Sequence, residues 1–170
     1  MKRTALLATL FALASTAPAF AHTGTGIASG FAHPFLGWDH LLAMLAVGAW
    51  GAMLGNRAIW AVPGAFVSAM ALGGAIAMMG VTLPFVEATI IASVLVLGAF
   101  LLARVRMPVW AGMAVAGLFA LAHGHAHGAE VPLMADPWIY GLGFVTATAL
   151  IHALGAIVTR FVLKAKAVRA

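Results

Sequence analysis

The sequence predicts an all-α protein, a polytopic bundle of transmembrane helices, from its composition and its apolar pattern. Hydrophobic residues make up 64% of the 170 residues and charged residues 8%. Apolar runs of about 20 residues, each long enough to cross a hydrocarbon core of roughly 30 Å, recur along the chain. The runs lack the apolar–polar alternation of membrane β-strands, and helices satisfy backbone hydrogen bonds within lipid. We therefore expect one unit of five helices over residues 35–163.

Residues 1–21 have the features of a cleavable secretory signal peptide. A basic start precedes a short apolar core, and small residues offer a cleavage site after Ala21. Cleavage would make His22 the N-terminus, where its amine and imidazole can chelate an ion together. Residues 22–34 are expected to form a short extracytoplasmic lead-in, in which residues 23–30 are small, Gly-rich and flexible and do not make a domain.

Prolines and basic residues mark the ends of the predicted helices. Pro34, Pro108 and Pro137 suit the first turn of a helix, where the missing N–H is not needed. Arg57 and Arg104 lie in the turns that follow the first and third helices. The predicted helices cover residues 35–54, 58–79, 85–103, 108–127 and 138–163, and a basic cytoplasmic tail covers residues 164–170.

The charges predict how the chain lies in the membrane. With five spans and the N-terminus outside, every basic residue of the mature chain falls on the cytoplasmic side, whereas Glu130 and Asp136 fall outside. This orientation explains the pI near 10.9 without nucleic acid as a partner. Trp38, Trp138 and Tyr140 are expected in an outer aromatic belt. The lipid bilayer, specifically the bacterial inner (plasma) membrane, is the predicted location.

Ionisable side chains cluster at the start of the first predicted helix. His33, Asp39 and His40 lie next to an otherwise apolar segment, and Met44 follows His40 by about one helical turn. Such groups are costly inside hydrocarbon, so their default interpretation is functional, with a partner or an ion to compensate them. The Asp39–His40 pair also suits a purely structural link between helices, and Met44 suits packing as well as ligation. One helix supplies only part of a coordination shell, so other helices must complete it.

A second histidine-rich segment ends the fourth predicted helix. His123, His127 and Glu130 follow an i, i+4, i+7 spacing and share one face if the helix persists. His125 points elsewhere and suits a solvated loop as well as a ligand. Glu87, in the first turn of the third helix, is equally suited to ligation or to solvation.

His152 lies deep in the fifth predicted helix, about 21 Å from its start, and either binds an ion or hydrogen-bonds across the bundle. Because cysteine is absent, imidazole and carboxylate are the available ligands, which suits Ni²⁺, Co²⁺ or Zn²⁺. A permeating ion needs several sites in sequence that replace its hydration shell and then release it. An outer cluster with a deeper histidine therefore predicts an inward conduction route, with no permanently bound cofactor.

Both motifs resemble those of the HupE/UreJ family of membrane accessory proteins, which are associated with hydrogenase and urease. The resemblance rests on His33-Pro34-x-x-Gly37-x-Asp39-His40-x-x-x-Met44, on the segment from Phe119 to Glu130 and on His152. It implies a nickel (or cobalt) permease that feeds the assembly of a metalloenzyme, with hydrogenase or urease assembly proteins as partners. By that likeness the metal-binding residues are His33, Asp39 and His40 in the first motif and His123, His127 and Glu130 in the second.

Two other functions fit the same residues. An intramembrane zinc hydrolase would hold Zn²⁺ with an open water position and use Glu87 or Glu130 as general base, but it gives His152 no task. A metal sensor or chaperone at the periplasmic face would bind the ion without passing it. No G-x-x-x-x-G-K-[ST] motif occurs to support ATP-driven pumping. A transport protein that is not an enzyme is the favoured prediction.

Overall fold

The computed structural model describes residues 26–168, and this part of the chain is all-α, with no strand, as predicted. The predicted signal peptide, its cleavage site and His22 lie outside the described residues. Within the described range the helices are α1 (Ile27–Ala32), a 3-10 helix (His33–Phe35), α2 (Trp38–Leu54), α3 (Ala58–Met78), α4 (Val86–Leu102), α5 (Val109–Ala129) and α6 (Pro137–Val168).

The start of the bundle differs from the prediction. The lead-in expected over residues 22–34 contains the helix α1, and α2 begins at Trp38 instead of near residue 35. Gly37 has an extended backbone (φ −98°, ψ 110°) that interrupts the helix, and the segments on its two sides are bent by 85°. The short helix α1 is packed against α6, where Gly30 brings its backbone directly onto that of the neighbouring helix. Tertiary packing thus supports a helix that is too short to form alone.

Three of the described helices are long and apolar enough to cross a membrane, namely α3, α5 and residues Pro137–Ala165 of α6. Residues Ile27–Phe35 and α2 together make a fourth, broken candidate span. The apolar helix α4 has 17 residues, a length of about 26 Å at 1.5 Å per residue. The structure therefore supports a membrane protein with three or four candidate spans in its described part, fewer than the five full-length spans predicted.

Glycines bring pairs of helices into backbone contact. A Cβ atom added at Gly124 of α5 would overlap the carbonyl group of Met70 in α3, and one added at Gly48 of α2 would overlap the carbonyl group of His152 in α6. Small residues at such positions allow membrane helices to approach closely. Two of the histidine-bearing segments are thereby fixed against their neighbours.

The two ends of the bundle differ in chemistry. At the basic end, the α2–α3 turn carries Arg57 and the α4–α5 loop carries Arg104 and Arg106, all exposed. Here the indole N–H of Trp50 donates to the carbonyl oxygen of Val105 at 3.1 Å, which joins the end of α2 to this loop. At the histidine end, the starts of α2 and α6 meet the end of α5. The apolar core between them includes Met44, Val47, Trp50, Val62, Phe66 and Leu97.

Candidate metal centre

Four imidazole rings meet at the histidine end, and we call them the histidine cluster: His33, His40, His123 and His127. The ring centroid of His127 lies 4.3 Å from that of His40 and 4.9 Å from that of His33. The His40 ring is in turn 4.8 Å from the His123 ring. His123 and His127 share a face because they are one turn apart in α5. The start of α2 and the 3-10 helix supply the other two rings.

Two hydrogen bonds hold the ring of His33. Its Nε2 lies 3.0 Å from Oε2 of Glu130, and the hydroxyl oxygen of Tyr140 lies 2.6 Å from its Nδ1. Since a carboxylate only accepts, the Nε2–H donates to Glu130 and the Tyr140 hydroxyl donates to Nδ1. A metal ion bound at Nε2 would take the place of that proton. With the proton then on Nδ1, the Tyr140 oxygen can accept it, so Tyr140 orients the ring in both states.

Asp39 orients His40. Its Oδ1 accepts the Nδ1–H of His40 at 2.9 Å and the backbone N–H of His40 at 2.8 Å. This tautomer leaves a lone pair on Nε2, which is buried and has no hydrogen-bond partner within residues 26–168. A carboxylate behind a histidine in this way is the usual second shell of a metal ligand. Gly37 leaves the space, because a Cβ there would lie 3.1 Å from Nδ1 of His40.

Ser93 of α4 performs the same task for His123. The Ser93 hydroxyl oxygen lies 2.6 Å from the carbonyl oxygen of Ile90 and 2.9 Å from Nε2 of His123. A hydroxyl has one proton, which goes to the carbonyl, so His123 donates its Nε2–H to Ser93. The Nδ1 of His123 then carries the lone pair, and this atom is buried with no hydrogen-bond partner in the described part of the chain.

The His127 ring joins two parts of the histidine cluster, because it contacts both His33, the outer part, and His40, which forms the inner part with His123. Both of its nitrogens are buried and lack a hydrogen-bond partner among the described residues. Its Nδ1 lies 3.9 Å from Oε2 of Glu130, which follows the last residue of α5. Ligand atoms of His33, His127 and Glu130 all lie within 4.8 Å of one another, a spacing that one metal ion can bridge. The side chain of Glu130 is 56% exposed and gives this group contact with the exterior.

Three other residues considered from the sequence lie outside the histidine cluster. His125 turns to the α3–α4 loop, where its Nε2 lies 2.8 Å from the carbonyl oxygen of Val81 and 3.3 Å from the backbone nitrogen of Leu83. Glu87 is exposed in the first turn of α4. Met44 is fully buried in the apolar core.

His152 lies in α6, beyond an aromatic ring. It is 3% exposed, and neither of its nitrogens has a hydrogen-bond partner within the described chain. The hydroxyl of Thr148, one turn earlier on α6, is also buried and unpartnered by described residues. The ring of Phe66 contacts both His152, at a centroid distance of 5.1 Å, and His123, at 5.5 Å.

Comparison with known proteins identifies the family. The model of the family described as HupE / UreJ protein matches residues 9–170. The chain belongs to the HupE/UreJ family. It is also 44% identical over 158 residues to Protein HupE of Rhizobium leguminosarum bv. viciae, an alignment that covers 91% of this chain and 83% of that protein. No solved structure matches. The family resemblance of the two sequence motifs is thus confirmed.

In this HupE/UreJ protein the fold brings together residues from both motifs, and their role as metal ligands stays a prediction. Their donors are chemically suited to such an ion, since three of the rings present buried nitrogens that have no hydrogen-bond partner among residues 26–168. Those that meet are His33, His40, His123, His127 and Glu130, with Asp39 behind His40 and His152 set apart behind Phe66.

Tyr140 and Ser93 are members of the site that sequence reasoning missed. Tyr140 was expected in an outer aromatic belt, and the structure shows that its side chain is 3% exposed and hydrogen-bonded to His33. The unpredicted helix α1 packs against the start of α6. Ser93 is a fully buried hydroxyl in α4, a helix that is apolar apart from Ser93 and its first turn. Searching the apolar helices for isolated hydroxyl groups would have singled both residues out.

Proposed function

We propose that this HupE/UreJ protein is a permease that carries a divalent transition metal inward across the bacterial inner membrane, Ni²⁺ first and Co²⁺ next. The observation that carries the proposal is the set of buried nitrogens on His40, His123 and His127 that have no hydrogen-bond partner in the described chain. Such atoms are costly to bury, and an ion that uses their lone pairs removes the cost. Imidazole and carboxylate together suit Ni²⁺, Co²⁺ and Zn²⁺.

The arrangement favours passage over storage. The donors form a graded series, from the half-exposed Glu130 with His33, through His127, to the fully buried His123. Because His127 contacts both His33 and His40, an ion can exchange one set of ligands for the next without being fully released. Overlapping sites of this kind let an ion enter and leave a pore.

The proposed orientation places the histidine end in the periplasm and the C-terminus in the cytoplasm. It follows from the exposed arginines of the basic end and from the positive-inside rule. In this proposal the chain crosses the membrane five times, with α4 as the shortest span, and residues 1–21 are removed as a signal peptide. Glu130 then meets ions that arrive from the periplasm.

The proposed partners follow from the family. We propose that the delivered ion serves the maturation of a hydrogenase or a urease, and that assembly proteins of such an enzyme take it up on the cytoplasmic side. Growth with limiting nickel tests this step. Deleting the gene should lower the activity of the nickel enzyme, and added Ni²⁺ should restore it.

Flux into proteoliposomes tests the transport itself. Wild-type protein should admit Ni²⁺ and Co²⁺, whereas His40→Ala should lose most of the flux because a buried ligand nitrogen is gone. His125→Ala is the matched control, since this histidine is bonded to the α3–α4 loop instead of the histidine cluster. Equal flux in wild type and His40→Ala, at equal amounts of folded protein, would rule out transport through the histidine cluster.

The same vesicles separate the other two functions. A sensor or chaperone would bind Ni²⁺ tightly but show no flux. A zinc hydrolase would turn over lipid or peptide when purified with Zn²⁺ and would lose activity in Glu130→Gln. Ni²⁺ flux without such turnover supports the permease.

A further inference from the structure

Two cavities reach buried histidines, one at the histidine cluster and the other at His152. A cavity of about 400 Å³ between α3, α5 and α6 reaches His127. A second cavity, of about 520 Å³ between α3 and α6, reaches His152 and extends towards Trp60 and Arg160. Since Trp60 lies in the first turn of α3, the second cavity leads to the basic end. A route from one end of the bundle to the other therefore has to pass only the short stretch between the histidine cluster and His152.

Phe66 occupies that stretch. From His33 to His123, each ring of the histidine cluster contacts another histidine ring at a centroid distance of 4.3–4.9 Å. The next contact is with Phe66, which is fully buried and contacts both His123, at a centroid distance of 5.5 Å, and His152, at 5.1 Å. Phe144 also contacts the histidine cluster, at 4.4 Å from His127 and 5.9 Å from His33, but among the described residues only Phe66 has ring contacts with both the histidine cluster and His152.

We propose that Phe66 is the gate of the route and that His152 with Thr148 forms an inner binding position behind it. This inference rests on the permease function proposed above. A phenyl ring offers no lone pair to replace a water ligand, so the ring closes the route to a divalent cation until it moves. The buried nitrogens of His152 offer donors next to the Phe66 ring, and the buried hydroxyl of Thr148 lies one turn earlier on α6.

The second cavity, which reaches His152, is better suited to releasing a cation than to holding one. Its lining includes the positive charge of Arg160, which disfavours a second cation nearby, and it contains no carboxylate. Among the described residues that line this cavity, His152 is the only imidazole. In this proposal an ion that has passed Phe66 leaves His152 towards the basic end.

Side-chain size at position 66 tests the gate. Phe66→Leu should raise the initial rate of Ni²⁺ flux into proteoliposomes by roughly fivefold or more, and Phe66→Trp should lower it by a similar factor, because the barrier is steric. In both variants the affinity for Ni²⁺, measured by calorimetry on the full-length purified protein, should stay within about threefold of wild type because the histidine cluster is intact. The matched control is Phe100→Leu, a partly buried phenylalanine that packs against Trp50 away from the histidine cluster.

The outcomes separate the gate from the transport function. Wild-type flux in both Phe66 variants, or an equal loss in both, would overturn the gate while leaving the permease in place. Binding without flux in the wild type would remove the permease and the gate with it. If Phe66→Trp does not fold, Phe66→Ala replaces it, and the rate must then rise from wild type through Leu to Ala. If Phe100→Leu raised the Ni²⁺ flux as much as Phe66→Leu does, the gate would also be overturned, because looser packing of the whole bundle would then explain both increases.

Discussion

The outer and inner parts of the histidine cluster differ in how their nitrogens are used. In the outer part, both nitrogens of His33 are hydrogen-bonded, to Glu130 and to Tyr140. In the inner part, His40 and His123 each have one nitrogen fixed by an oriented partner and the other nitrogen buried without one in the described chain. On the proposed route, an ion that arrives outside has to displace an existing hydrogen bond, whereas an ion that moves further in meets lone pairs that are already available. This difference favours exchange at the entrance and inward movement from there.

The largest effect is expected at His127, because this ring joins the two parts. His127→Ala removes a donor from both the outer and the inner set of ligands. Loss of one second-shell partner already weakens metal binding by roughly 10–100-fold, so losing a ligand should weaken Ni²⁺ binding by at least about 100-fold. Calorimetry and flux measurements on the same preparation check this. A Ni²⁺ affinity of His127→Ala within a few-fold of wild type would mean that the ion binds elsewhere and that His127 does not join two sets of ligands.

The inner part alone is perturbed by Asp39→Asn, which keeps the shape of the side chain but removes its charge. The amide no longer enforces an Nδ1–H tautomer on His40, so Nε2 is less available as a ligand. We expect Ni²⁺ affinity to fall by roughly 10-fold or more, as for other carboxylates behind metal-bound histidines. Thermal unfolding should show that the variant is folded. Unchanged affinity would mean that Asp39 is a structural link and not an orienting group.

The outer part alone is perturbed by Tyr140→Phe, which deletes one hydrogen bond to His33. A bond of this kind is worth about 1 kcal/mol net, which corresponds to roughly fivefold in affinity. Because His33 is at the entrance, the change should lower the rate of Ni²⁺ entry at low concentration more than the rate at saturation. Concentration series in proteoliposomes measure both quantities. A larger loss of Ni²⁺ affinity in Tyr140→Phe than in Asp39→Asn would mean that the outer part contributes more to binding than the inner part.

The smallest effect on metal binding is expected from His125→Gln. His125 lies in the same sequence motif as His123 but bonds to the backbone of the α3–α4 loop. The substitution should leave Ni²⁺ affinity unchanged and lower stability by about 1 kcal/mol through the weakened loop contact. Calorimetry and thermal unfolding report the two effects separately. A marked loss of Ni²⁺ affinity with normal stability would show that His125 is part of the metal centre.

Local spacing predicted only part of the metal centre. The one-turn spacing of His123 and His127 indicated a shared face, and the adjacency of Asp39 and His40 indicated a pair, since both depend on neighbours in the chain. The partnership of Ser93 with His123 depends on how α4 packs against α5, which no local pattern encodes. The same local geometry set His125 apart, because a residue two positions from His123 points in another direction; only the fold supplied its neighbour, the α3–α4 loop.

The sequence by itself determined that the protein is an α-helical membrane protein, where most helices begin and end, and which family it belongs to. These properties follow from apolar run length, prolines, basic turns and two motifs, all of them local. Only the tertiary structure decided that α1 forms, that it covers Tyr140, and that Phe66 stands against both His123 and His152. The physical reason is that burial and ring contacts are made between helices distant in the chain, where glycine-mediated packing sets the distances.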